Sequence, residues 1–224
     1  MAPRRAVVFR RAGRRARMTA ARRPGKGDIL IFGESLNDSR SIAELVLAAN
    51  PALDGRVRAL PRPTSLTRKA GSRAVSRWVE EISGVVAAYQ VARRPVAAVL
   101  VHRDADGADP DGRVAADLGS QISSVRGHPV VPVQAIEAWW FLFPDAVEAV
   151  RPHAWRGVML RRDRDVEVIV RPKDELMRLT GRSRSKYSEA DSPAIARKVR
   201  DLRPRRYGSS SSYDFLVSLA EALR

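Results

Sequence analysis

The sequence predicts an α/β fold: a doubly wound sheet of about four mainly parallel strands flanked by helices, with a helical C-terminal extension. Three observations predict it. Apolar segments of strand length alternate with segments whose apolar residues recur at helical spacing, in the order β-α-β-α-β-α-β-α. The run Val96 to Val101 is apolar without polar alternation, as a central parallel strand covered on both faces requires. Acidic residues stand directly after predicted strands, where sheets of this kind bind their ligands.

The first strand is read at Asp28 to Phe32, closed by Gly33. In "NDSRSIAELVLAAN", Ile42, Leu45, Val46 and Ala49 share one helical face, with Asp38 or Ser39 as cap and Asn50-Pro51 as stop. "RVRAL" gives a second strand, halted by Pro61 and Pro63. The polar, basic "RPTSLTRKAGSR" leads into a helix from about Ala70 to Val91, with Val75, Trp78, Val79, Ile82 and Val86 on its apolar face. "PVAAVLVHRD" is the third strand. "PDGRVAADLGSQISSV" is the third helix, started by Pro110 and Asp111. "HPVVPVQAI" is a fourth strand, and "EAWWFLF" opens a further helix. From Arg151 onward, "RPKDELMRLTG", "SPAIARKVRDL" and "SYDFLVSLAEAL" read as short helices between Ser-, Arg- and Gly-rich loops. The organisation is therefore a basic arm at 1–26, an α/β domain at 27–150 and a helical extension at 151–224 packing on it.

Composition narrows the chemistry. The 224 residues contain no cysteine, which removes disulfides, thiolate metal sites and cysteine nucleophiles. His102, His128 and His153 have no metal-ligand spacing, so any metal is a hard, oxygen-bound cation such as Mg²⁺ or Mn²⁺. No apolar run nears the roughly 20 residues of a membrane helix, so no membrane partner is expected and a cytoplasmic location is the default. The net charge is +16, and ten of those positive charges lie in 1–26 without an acid, leaving +6 for the rest. That arm reads as disordered, either a nucleic-acid tether or a translated leader before Met18. An Arg-rich, acid-poor start is also compatible with a transit peptide.

Against this basic background, "VHRDADGAD" stands out. Asp104 and Asp106 are two apart and lie on one side if strand geometry persists. Two ionised carboxylates a few ångströms apart repel, and a divalent cation relieves this. Glu34, after the first strand, would add a third oxygen donor, and Glu137, after the fourth, a further one. Alone, "DADGADPDG" also reads as a solvated turn with a helix cap, and Glu137 as an ordinary helix-start glutamate. An EF-hand starting at Asp104 fails because Ala108 and Ala115 occupy ligand positions. "RPGKGD" is not a P-loop. A haloacid-dehalogenase-type site wants its DxD after the first strand, which here ends in Glu34.

"ILIFGES" followed by "VLVHRDADGAD" resembles the Toprim (topoisomerase–primase) domain, with Glu after the first strand and DxD after the third. The later "IEAW" (Ile136 to Trp139), Pro172, Lys173 and Leu176, the Lys186-Tyr187 dipeptide and the closing "SSSSYDFLVSLAEAL" are similar to a small, OLD-nuclease-like Toprim family. The resemblance spans Asp28 to the C-terminus. It implies a Mg²⁺- or Mn²⁺-dependent nuclease. Glu34 would be the general acid/base or a metal ligand, Asp104 and Asp106 metal ligands, and Glu137 a further ligand. It also implies a setting beside an ABC- or AAA-type ATPase in a bacterial defence complex, and is compatible with a homo-oligomer. Gly107 follows the DxD at once, a small departure from the family pattern.

Other residues have two readings each. Lys173 and Lys186 could bind phosphate or sit as ordinary surface lysines. Arg68, Lys69 and Arg73 could line a phosphate path or be solvated charge. His102 is expected to pack or to support Asp104, and Trp139 and Trp140 to fill core rather than stack on bases. Beside a DNA or RNA nuclease, the sequence leaves open a non-catalytic nucleic-acid- or partner-binding subunit, and a phosphatase or nucleotide hydrolase at the same site.

Overall fold

β1 (Asp28–Phe32) is buried at every position, and its side chains divide between two cores. Ile29 and Ile31 enter one apolar cluster, Leu30 and Phe32 the other. This is the period-two alternation of a strand with helices on both faces. The computed structural model describes residues 27–60, 72–109, 111–181 and 185–223. The arm at 1–26, and Arg68 and Lys69 with it, lie outside the described residues. Arg73 falls in the first turn of a helix, with its side chain outside that description.

The sheet is all parallel, in the order β2-β1-β3-β4, with β2 at Val57–Leu60, β3 at Val96–His102 and β4 at Gly127–Val130. The chain steps from β1 outward to β2, then crosses back over β1 to β3. Parallel crossovers are right-handed, so the reversal puts the connecting helices on opposite faces. Helix α1 (Leu36–Ala49) packs Ile42, Leu45 and Val46 on one face. Helices α2 (Ser72–Val91) and α3 (Arg113–Gln121) pack Trp78, Ile82 and Leu118 on the other. The switch in winding direction falls between β1 and β3, and there the helices diverge and leave a crevice at the carboxyl ends of the strands.

The first face is finished by the C-terminal helices α6 (Pro172–Thr180), α7 (Ser192–Leu202) and α8 (Ser211–Ala222). Leu176, Ile195, Val199 and Leu216 share one cluster with Ile42, Leu100 and the tryptophans Trp139, Trp140 and Trp155, all almost without exposure. The extension thus shares the sheet's core. Trp139 and Trp140 are core, as expected, on the short α4 (Glu137–Trp140), which precedes α5 (Pro144–Val150).

Two caps and one strand differ from expectation. Ser35, not Asp38 or Ser39, caps α1: its hydroxyl accepts from Asp38 N at 3.2 Å while the Asp38 carboxylate accepts from Ser35 N at 2.7 Å. For α3 the carboxylate that accepts from the first turn is Asp109, from Arg113 N at 2.9 Å and Val114 N at 3.1 Å, rather than Asp111. β4 ends at Val130 instead of running to Ile136, because Pro132 and the left-handed Gln134 (φ 67°) turn the chain aside. No helix among the described residues is long and apolar enough to cross a membrane.

Candidate functional site

Phe32 is level with Val101 across the β1–β3 pair. Glu34 and Asp104 therefore leave neighbouring strands, about 4.8 Å apart, at the same rim of the sheet. Gly33 makes the β1 exit tight: a Cβ there would stand 2.8 Å from Ser39 N and 2.9 Å from Ser35 O. After β3 the chain stays hydrogen-bonded to the segment following β4. Arg103 N donates to Val130 O (3.2 Å), Ala105 N to Pro132 O (3.0 Å), Asp106 N to Gln134 O (3.0 Å), and Gln134 N to Gly107 O (3.1 Å). These bonds hold Asp106 at φ 55° facing the equally left-handed Gln134. Such conformations cost about 1–3 kcal/mol each and concentrate at working sites.

The result is a cleft of about 510 Å³ at the switch point. Glu34, Asp38, Asp104, Asp106 and Glu137 are among the residues that line it. At the N-terminus of α6, whose dipole carries partial positive charge, the lining adds Arg171, Pro172, Lys173 and Asp174, with Glu189 beside Lys173. Arg171 is left-handed too (φ 55°), so three strained non-glycine residues border one cleft.

Asp104 is fixed from beneath. Its Oδ1 accepts from Ile136 N at 3.0 Å and pairs with His102 Nε2 at 3.1 Å. Among the described residues no hydrogen bond engages its Oδ2. His102 is fully buried, and its Nδ1 has no partner there. Burial works against a charged ring, yet the hydrogen bond and charge of Asp104, with Asp38 and Glu34 behind it, push the imidazole up to about 9. His102 thus lies beneath Asp104 as its buried hydrogen-bond partner, the supporting role expected of it.

Glu34 is pushed up from 4.5 to about 7, chiefly by burial. His102 pulls it down, while Asp104, Asp106 and Asp38 push it further up. Glu137 is also pushed up to about 7, by burial and then by the charge of Asp104; its own backbone N–H, Tyr187 and Lys173 oppose. The Glu137 Oε1 accepts from Tyr187 OH at 3.1 Å. That hydroxyl lies 2.7 Å from Ser192 Oγ, which accepts from Trp140 Nε1 at 3.1 Å. Tyr187 was missed from sequence: its partner lies fifty residues away, and only the Lys186-Tyr187 dipeptide pointed near it.

Of the residues expected to form the site, Glu34, Asp104, Asp106, Glu137 and Lys173 come together. Lys173 is ion-paired with Glu189 on the cleft wall. Lys186 is exposed and does not line the cleft; its neighbour Tyr187 faces inward instead. The donor set is all oxygen and suits a hard dication. Its carboxylates are spread around the cleft: among the described residues no three His, Asp or Glu side chains are close enough together to enclose an ion as they stand. No protein-family model, curated protein or solved structure matches this chain.

Proposed function

We propose that this protein is a Mg²⁺- or Mn²⁺-dependent hydrolase of nucleic-acid phosphodiesters. The observation that carries this reading is one cleft that gathers Glu34, Asp104, Asp106 and Glu137 with Arg171 and Lys173 at a helix N-terminus. Carboxylates from the exits of β1 and β3 and from the start of α4 share the cleft with the α6 N-terminus, where Arg171 and Lys173 stand beside Asp174 and Glu189. Acids suit a dication, bases and exposed N–H groups suit phosphate oxygens, and a phosphodiester with its metal needs both. Asp104 and Asp106 would hold the ion, with Glu137 as a further donor and Glu34 as either a donor or the general acid/base. A dication bound there supplies Lewis-acid stabilisation of the phosphoryl group and lowers the pKa of water.

The chain's own groups do the rest. Where Glu34 does not itself ligate the ion, its carboxyl, raised by burial to about 7, is placed to accept or return a proton at neutral pH. The α6 N-terminus, Arg171 and Lys173 orient the phosphate, once Lys173 exchanges Glu189 for it. His102 and Ile136 N hold Asp104 in place. The resemblance to Toprim nucleases supports the same reading, and with it an ABC- or AAA-type ATPase partner in a bacterial defence complex.

The spread of the carboxylates favours a second reading, a non-catalytic nucleic-acid- or partner-binding subunit. One experiment separates the two. Mg²⁺-dependent cleavage of labelled DNA and RNA is measured for the wild type and for the Asp104→Ala, Asp106→Ala double variant. A hydrolase loses cleavage and keeps binding. A wild type that binds but cleaves neither polymer nor a small phosphodiester leaves the binding subunit.

A further inference from the structure

Among the described residues outside the cleft, two loops are rich in arginine. Residues 161–165 and 203–209 carry six arginines and two aspartates, a net charge of +4. The fold lays them side by side. Val166 N donates to Ser209 O (3.0 Å), Ser209 N to Arg164 O (3.1 Å) and Gly208 N to Asp163 Oδ1 (3.2 Å), with a parallel bridge between Asp165 and Ser209. The approach demands Gly208. Its φ is +77°, and a Cβ there would sit 1.9 Å from Arg164 O.

We propose that these loops form a docking ridge for the phosphate backbone of a nucleic acid, leading into the cleft. Arg161 and Arg206 are anchors, tied to Asp145 and Glu148 and to Asp214 respectively. Arg162, Arg164, Arg203 and Arg205 are exposed. Arg205 reaches an acid only at 4.0 Å, from Asp163, with 69% of its side chain exposed, and its guanidinium lies 4.9 Å above the Tyr207 ring. Tyr207 is itself fixed by its N–H to Leu142 O at 2.9 Å. Guanidinium forks match phosphate geometry, and an arginine beside a tyrosine face offers a surface for an unpaired base. This pairing favours nucleic acid over an acidic protein.

The ridge is tied to the cleft along the chain and by a relay of hydrogen bonds. From Arg164 the backbone reaches the cleft-lining Arg171 in seven residues, a reach of at most about 25 Å, or roughly seven phosphates along one strand. Between them the Glu167 carboxylate accepts from the hydroxyls of Ser210 (2.8 Å), Ser211 (2.8 Å) and Ser212 (2.6 Å). Ser212 Oγ in turn accepts from Trp139 Nε1 at 3.0 Å, so α8 is pinned beside the segment carrying Gln134 and Ala135 into the cleft. Delivery of a strand to the carboxylates rests on the hydrolase reading; docking on the ridge does not.

The test uses the full chain with Arg162, Arg164, Arg203 and Arg205 all changed to Ala, and a second variant with all four changed to Lys. Anisotropy of fluorescent single-stranded and duplex DNA and RNA is followed over a salt series in EDTA, and hydrolysis of a small chromogenic phosphodiester in Mg²⁺. The alanine variant is expected to bind on the order of 10–100-fold more weakly. Its plot of log affinity against log salt should be shallower by about 0.7 per lost phosphate contact on a single strand. The lysine variant should restore the slope, and both should hydrolyse the small diester as the wild type does. Unchanged affinity and slope in the alanine variant overturn the ridge, as does a wild type that binds no oligonucleotide. Displacement of the oligonucleotide by polyglutamate as readily as by polyphosphate also overturns it, in favour of an acidic protein partner. A wild type that binds through the ridge yet hydrolyses neither polymer nor small diester overturns the hydrolase and leaves the ridge standing.

Discussion

The acid rim and the arginine ridge treat charge in opposite ways. At the rim, Glu34, Asp104 and Glu137 are pressed into the protein, and burial together with mutual repulsion holds Glu34 and Glu137 near 7. On the ridge, guanidinium groups stay in water, where neighbouring like charges cost little. At the rim, burial and crowding favour the protonated carboxyl, and a dication would have to displace those protons. The ridge carries a field that acts at a distance and fades with salt. The first suits chemistry and the second capture, and each predicts a different response to substitution.

The largest effect is expected at the rim. Replacing Asp104 and Asp106 with Ala should lower Mg²⁺-dependent phosphodiester hydrolysis by on the order of 10²–10³-fold or more, while salt-dependent nucleic-acid binding persists. Equal losses of both activities would merge the two regions into one. Next comes Tyr187→Phe, which removes the hydroxyl holding Glu137. Mn²⁺ affinity should fall about tenfold, as when a partner that orients a ligand is lost. In a Glu137→Gln background the same substitution should have little further effect. Additive losses would show that Tyr187 acts elsewhere.

The pH response has a definite sign. Glu34 and Glu137 have folded pKa values raised from 4.5 to about 7, so their contribution to stability is full below 4.5 and lost as pH rises through 7. His102, raised from 6.5 to about 9, adds stability that is full below 6.5 and lost through 9. Metal-free melting temperature should therefore decline as pH climbs from about 4.5 to 9, and Mg²⁺ should stabilise most at the upper end. A metal-free protein that gains stability over that window would contradict the buried-acid picture. Smallest is Ser35→Ala, which removes the α1 cap beside Glu34 and should cost about 1 kcal/mol in chemical denaturation.

The sequence was most legible where a residue's environment is set by its immediate neighbours. The unbroken apolar runs of β1 and β3 had to be central strands, and acids directly after them had to reach one rim. Legibility fell where a partner comes from afar or competes locally. Ser35 outcompetes Asp38 as cap because the two bind reciprocally, with Asp38 serving from the third helical position. Asp109, not Asp111, meets the first turn of α3 because the chain reverses through the left-handed Gly112. Lys186 and Tyr187 are adjacent, and only the packed fold decides which of them points inward to Glu137. The ridge is spelled out as arginines in the sequence, but its existence as one surface depends on hydrogen bonds between segments some forty residues apart.

The central claim is that the rim carboxylates belong to a dication. Calorimetric titration of Mn²⁺ into the wild type and into the Asp104→Ala, Asp106→Ala variant, in buffers of different ionisation enthalpy at pH 7, tests it most directly. The account predicts saturable binding by the wild type with release of protons, because Glu34 and Glu137 must give theirs up, and loss of that binding in the variant. Absence of binding by the wild type, or the same binding in both proteins, would contradict it.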